Sequence, residues 1–136
     1  MDWKLELVLL PVTDVDRAKA FYVERVGFNV DVDHEVSEAC RVVQLTPPGS
    51  ACSITFGRGI TDAAPGSVKG LHLVVTDIEA AWAALVARGV EVSEPFHFVD
   101  GRRVPGVDPE RRDYNSFLSF SDPDGNSWLV QERSPR

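Results

Sequence analysis

At 136 residues, with 43% hydrophobic and 26% charged residues, the chain has the composition of one globular domain, long enough to bury roughly two thirds of the surface its unfolded form exposes. No apolar run approaches the ~20 residues that span a bilayer, and the charged start Met1-Asp2-Trp3-Lys4-Leu5-Glu6 lacks the apolar centre of a secretion signal, so a cytoplasmic location is expected. A formal net charge of −7 opposes attraction to nucleic acid or an anionic membrane, leaving a small molecule or a second copy of the chain as the expected partner.

Residues 3–12 predict a strand that runs into Thr13 and Asp14, either of which can cap a helix over Val15 to Val26. Val15, Ala18, Tyr22 and Val26 fall on one helical stripe, and Gly27 supplies a left-handed stop. Phe28 to Asp33 then alternates through Phe28, Val30 and Val32 like a half-buried strand. A polar turn over His34 to Glu38 leads to strands over Cys40 to Thr46 and Ala51 to Phe56, separated by Pro47-Pro48-Gly49. Cys40 and Cys52, the only cysteines, fit small buried hydrophobes in a reducing compartment rather than a disulfide.

Arg58 to Ser67 is a connector, after which the order repeats. Val68 to Val75 predicts a strand, and Val75-Thr76-Asp77 echoes Val12-Thr13-Asp14 as the start of a helix over Ile78 to Arg88. Ile78, Ala81 and Leu85 match the inward stripe of the first helix, Gly89 marks the stop, and Val90 to Val92 begins another strand. Ser93 to Asp113, rich in Pro, Gly and Arg, is too long and irregular for a simple turn and fits an ordered functional loop. Tyr114 to Ser121 and Asn126 to Glu132 close as a hairpin around Asp122-Pro123-Asp124-Gly125-Asn126, whose turn chemistry explains both aspartates without catalysis. The expected organisation is one domain, with a βαβββ module over 1–57, a linker over 58–67 and a second module over 68–136.

Two βαβββ units, the Val-Thr-Asp helix starts, Ala20-Phe21-Tyr22, Gly27-Phe28 and the Asp-Pro-Asp-Gly-Asn hairpin together resemble the vicinal oxygen chelate superfamily of glyoxalases, bleomycin-resistance proteins and extradiol dioxygenases. The resemblance covers nearly the whole chain. It implies an α+β fold in which two βαβββ modules form a cup-shaped mixed sheet, commonly within a homodimer. It also implies a metal held by His or Glu seven residues before each capping Asp and four residues after the hairpin Gly. Those positions are Leu7, Gly70 and Leu129, with Ser53 at the matching place in the first module. Three of them carry no donor side chain, and a serine is a poor ligand for the usual divalent ions. No metal and no cofactor is therefore expected, with a divalent metal at a displaced site as the alternative.

Strand alternation places His72 on the face of Gly70, with Leu71, Leu73 and Val75 turned toward the helices. The near-neutral pKa of histidine suits His72 to acid/base catalysis; its plainer alternative is a ring hydrogen-bonded within the sheet. Ser53, Thr55 and Gln131 are the further ligand-facing polar groups, while Ile54 and Trp128 should pack beneath helices. His97, between Phe96 and Phe98, offers a polar tip in an apolar wall or a structural contact. The arginine pairs at 102–103 and 111–112 can grip a carboxylate or phosphate, or can be solvated or meet Asp108, Glu110 and Asp113. The expected function is sequestration of a small molecule in the bleomycin-resistance manner. The alternative is a glyoxalase-like lyase or isomerase, or a dioxygenase, working through a displaced metal or His72.

Overall fold

The computed structural model describes residues 1–135. Its architecture is α+β, as expected, with a four-stranded and a five-stranded sheet and few helices. The chain divides into two compact units, Met1–Val68 with Asp122–Asn126, and Lys69–Ser121 with the residues from Ser127 on.

The first unit contains β1 (Leu7–Leu9), α1 (Val15–Ala20), a π-helical segment (Phe21–Val26), β2 (Asn29–Ser37), β3 (Cys40–Thr46) and β4 (Ser53–Arg58), with sheet order β1-β4-β3-β2. Asp14 starts α1 by accepting the Arg17 N–H at 3.0 Å, a cap worth about 1 kcal/mol. The expected stripe is inward at Val15, Ala18 and Tyr22. Beyond Ala20 the helix widens instead of continuing as α. The N–H groups of Gly27 and Phe28 both donate to the Tyr22 carbonyl at 2.9 Å, and Gly27 takes the left-handed conformation, φ 96°, that ends the element. Tyr22 then stacks on Phe28 and leans on Phe56, with centroids 5.6 and 6.0 Å apart, at the centre of a core completed by Leu10, Val43 and Leu45.

Two strand expectations need correction. The first strand is three residues long rather than spanning 3–12, because β4 pairs with it only through Leu7, Val8 and Leu9, and Met1–Glu6 are exposed. β2 passes through His34 to Ser37, leaving Glu38-Ala39 as the turn. It lies at the sheet edge, so Val30 and Val32 are exposed, 45% and 40%, instead of half-buried. Cys40 and Cys52 are half-buried free thiols.

The turn Asp122–Asn126 is built around one buried carboxylate. Asp122 accepts the backbone N–H groups of Asp124 and Asn126 on Oδ1, and the Tyr22 hydroxyl and the Asn126 amide, each at 2.8 Å, on Oδ2. Asp124 in turn accepts the Thr13 hydroxyl at 2.7 Å, and Asn126 bridges the Pro11 carbonyl and the Val68 N–H. Both aspartates are therefore structural, as the turn chemistry implies.

The second unit contains β5 (Leu71–Val75), α2 (Ile78–Ala87), β6 (Phe96–Val99), β7 (Arg102–Pro105), β8 (Phe117–Ser121) and β9 (Ser127–Glu132), with sheet order β5-β9-β8-β6-β7. Asp77 caps α2 through the Ala80 N–H, and Ile78 and Leu85 are its buried residues. Glu132 supplies a second cap by accepting the Ile78 N–H at 2.9 Å. The expected loop over 93–113 is only partly a loop, since it contains the β6–β7 hairpin. Asp100 and Gly101 both adopt positive φ, 50° and 78°, the conformation of a two-residue type I′ turn. Val90 to Val92 contributes a single bridge, Val92 to Phe120, rather than a strand.

Candidate functional site

Register in the second sheet sorts its side chains into two faces. Val74, Gln131, Phe117, Phe96 and Pro105 form one row across all five strands, because each is the direct partner of the next. One step along, on the same face, lie His72, Leu129 and Ser119; one step the other way lie Phe98 and Arg103. The opposite face carries Trp128, Val130, Leu118 and Phe120, all buried.

The open face has a flat aromatic end. Phe96 and Phe117 stack at 5.6 Å with planes 19° apart, and Phe98 meets both edge-on at 6.0 and 5.5 Å. Such pairs are each worth roughly 0.5–1.5 kcal/mol beyond burial and hold the rings rigidly. Phe98 is nonetheless 40% exposed. The Arg103 guanidinium carbon lies 3.6 Å from the Phe96 centroid, and beside it a cavity of 470 Å³ is lined by Glu94, Pro95, Phe96, Arg103 and Pro105.

His72 is at the other end of this face. Three strand spacings, roughly 14 Å, separate β5 from β6, so the ring does not join the aromatic cluster. It is exposed, and its Nδ1 lies 2.6 Å from the Gly70 carbonyl. A carbonyl only accepts, so Nδ1 is the donor in this contact and Nε2 is the ring nitrogen turned away from it. Gln131, half-buried, stands in the row between the two ends.

His97 is a different case. Adjacent to Phe96 on the same strand, it points to the opposite face from His72, is buried, and donates from Nδ1 to the Gly106 carbonyl at 2.6 Å. It belongs to a strand rather than to a loop, which corrects the expected placement, and it is not brought together with His72.

In the first unit Ser53 and Thr55 share one face of β4 with Gln44 and Thr46 of β3. Thr46 donates to Asp31, so Ser53 must be the donor in its 2.7 Å contact with Thr46. Thr55 is buried and its hydroxyl has no hydrogen-bond partner among the described residues.

The residues at the family's metal positions do not fit a metal. Leu7 and Ser53 are register partners, Leu129 is the partner of His72, and Gly70 immediately precedes β5, yet Leu7, Gly70 and Leu129 offer no donor side chain. Among the described residues, no group of three His, Cys, Asp or Glu side chains is placed to hold an ion.

The arginine pair at 111–112 resolves into structure. Arg111, at positive φ, binds Glu132 at 2.9 Å and Glu79, and these partners, Glu79 first, raise its pKa against the opposing effect of burial. Arg112 pairs with Asp108 and Glu110. Burial disfavours the charge of Asp108, but the Asn115 amide and the Arg112 N–H and charge hold its pKa below the usual range. The sequence reading missed the Phe96, Phe98 and Phe117 cluster. Its signal was Asp100-Gly101, a strong short-range hairpin marker, flanked by the alternating Phe96-His97-Phe98.

A model of the Glyoxalase/Bleomycin resistance protein/Dioxygenase superfamily matches residues 4–130. TnmS3, an antibiotic binding protein from Streptomyces sp. CB03234, is 32% identical, with a TM-score of 0.74 over 98% of each chain. A member of the same superfamily from Sphaerobacter thermophilus DSM 20745 is 27% identical, with a TM-score of 0.74 over 97% of this chain and 98% of its own. The uncharacterized protein YetH of Bacillus subtilis strain 168 is 23% identical over 92% of this chain and 94% of its own.

Proposed function

The chain belongs to the glyoxalase/bleomycin resistance protein/dioxygenase superfamily, and we propose that within it this protein is a metal-independent binder that sequesters a small, antibiotic-like molecule. The observation that carries this reading is the combination of a kept architecture with Leu7, Gly70 and Leu129 where donor atoms would be required. The aromatic end of the second sheet supports it: an exposed Phe98 ring set among Phe96 and Phe117, with a 470 Å³ cavity bounded by Phe96 and Arg103, suits an aromatic ligand. The 32% identity with an antibiotic binding protein points the same way. A cytoplasmic homodimer without a cofactor is part of the reading, with His72 and Gln131 as the polar contacts on the open face of the second sheet.

The test is metal analysis together with calorimetric titration of a panel of aromatic antibiotics, bleomycin included. Saturable binding to protein without stoichiometric metal is expected. One tightly held divalent ion per chain, whose removal abolishes binding, overturns the proposal.

A second reading, catalysis with His72 as general base, has one observation in its favour, the Gly70 carbonyl that engages Nδ1 and so orients an exposed ring. Turnover of any bound compound that survives His72→Ala unchanged removes it.

A further inference from the structure

Arg103 narrows the chemistry of the ligand. In a chain with 14 Lys and Arg against 21 Asp and Glu, a free carboxylate is easily found. Arg17, Lys19, Arg41, Arg58, Arg111 and Arg112 each have one within ion-pair distance. Among the described residues Arg103 has none, although Glu94 lines the same cavity. Its guanidinium carbon lies instead over the Phe96 ring, 3.6 Å from the centroid, and Phe96 stacks on Phe117.

A carbon so near the centroid fits a guanidinium that meets the ring with its face. Its N–H groups radiate in the plane of the ion and stay available, and the side chain's freedom is already reduced by the contact, so an oxyanion arriving at its edge meets a preorganised fork. The exposed ring of Phe98 stands on the same face, on the strand directly paired with that of Arg103. We propose that this face selects a planar aromatic ligand carrying an anionic oxygen, a carboxylate or phenolate, whose ring packs on Phe98 and whose oxygen is held by Arg103. The proposal rests on the small-molecule-binding function above and adds the ligand class and the residue that sets it.

The experiment titrates the full chain with 2-naphthoate and 2-naphthamide, which share a ring system and differ in charge. Naphthoate is expected to bind about tenfold tighter, as a charge-assisted contact implies, and the preference should shrink as salt is raised. Arg103→Met keeps an apolar cover over Phe96 but removes the fork. It should lower naphthoate affinity by about tenfold and naphthamide affinity by less than about threefold, without lowering Tm. Equal affinities in the wild type, or a naphthoate preference that survives Arg103→Met, overturn the proposal while leaving an aromatic-binding face intact. Phe98→Ala should weaken both probes alike. If Phe98→Ala changes neither, or the wild type binds neither probe, the aromatic face itself is wrong and the proposal falls with it.

Discussion

Replacing Tyr22 by Phe isolates the hydrogen bond on which the turn Asp122–Asn126 depends. The Tyr22 ring is fully buried, and its stacking with Phe28 and Phe56 survives the substitution. What disappears is one hydroxyl donating at 2.8 Å to a buried carboxylate, a bond worth about 1.5–3 kcal/mol because its acceptor is charged. Asp122 keeps its donors from Asp124 and Asn126, so the cost falls toward the lower end of that range rather than beyond it. With an unfolding entropy of about 2.1 cal/mol/K per residue, the 136-residue chain should lose roughly 5–7 °C in Tm. Thermal melts followed by circular dichroism measure it, and a urea titration with unchanged slope shows that the unfolded state is not the cause. A shift below about 2 °C refutes the assignment of Asp122 as a structural anchor. Loss of ligand binding at unchanged Tm would move that carboxylate into the binding site.

Thr55→Val keeps the shape of a buried side chain and removes a hydroxyl that has no partner, so it should raise stability by about 1 kcal/mol, or roughly 3–4 °C in Tm; a fall in Tm would mean that the hydroxyl is satisfied in the folded protein. Hydrogen bonds from Arg41 and then Lys19 hold Asp33 below the ordinary carboxylate value of 3.8. A lowered folded pKa means that its contribution is complete above 3.8 and is lost as pH falls through the folded value. Asp33→Asn should therefore flatten the loss of urea resistance in strong acid; identical pH profiles for the variant and the wild type would refute the coupling.

Much of the fold is legible because its local signals agree. The paired Asp14 and Asp77 caps, the glycine stops at Gly27 and Gly89 and the Asp122–Asn126 turn each follow from residue chemistry within a few positions. What escaped depends on partners far away in sequence. Val30 and Val32 alternate like core residues, but among the described residues β2 is an edge strand and both side chains are exposed. The widening of the first helix comes from two N–H groups converging on the Tyr22 carbonyl, which no periodicity reveals. Glu132 caps α2 from a strand 54 positions away. Parity placed His72 on the open face, as the register shows, but parity alone could not show that β6 enters the same sheet with Phe96 outward and His97 inward. The aromatic cluster of this face forms because that hairpin pairs with β8 through Phe96 and Phe117.

The most direct measurement is calorimetric binding of one antibiotic ligand by chelator-treated and untreated protein, side by side. The proposed metal-independent binding, argued from Leu7, Gly70 and Leu129, predicts the same affinity and stoichiometry in both samples. Binding or turnover that vanishes with the chelator and returns with a divalent ion would contradict it.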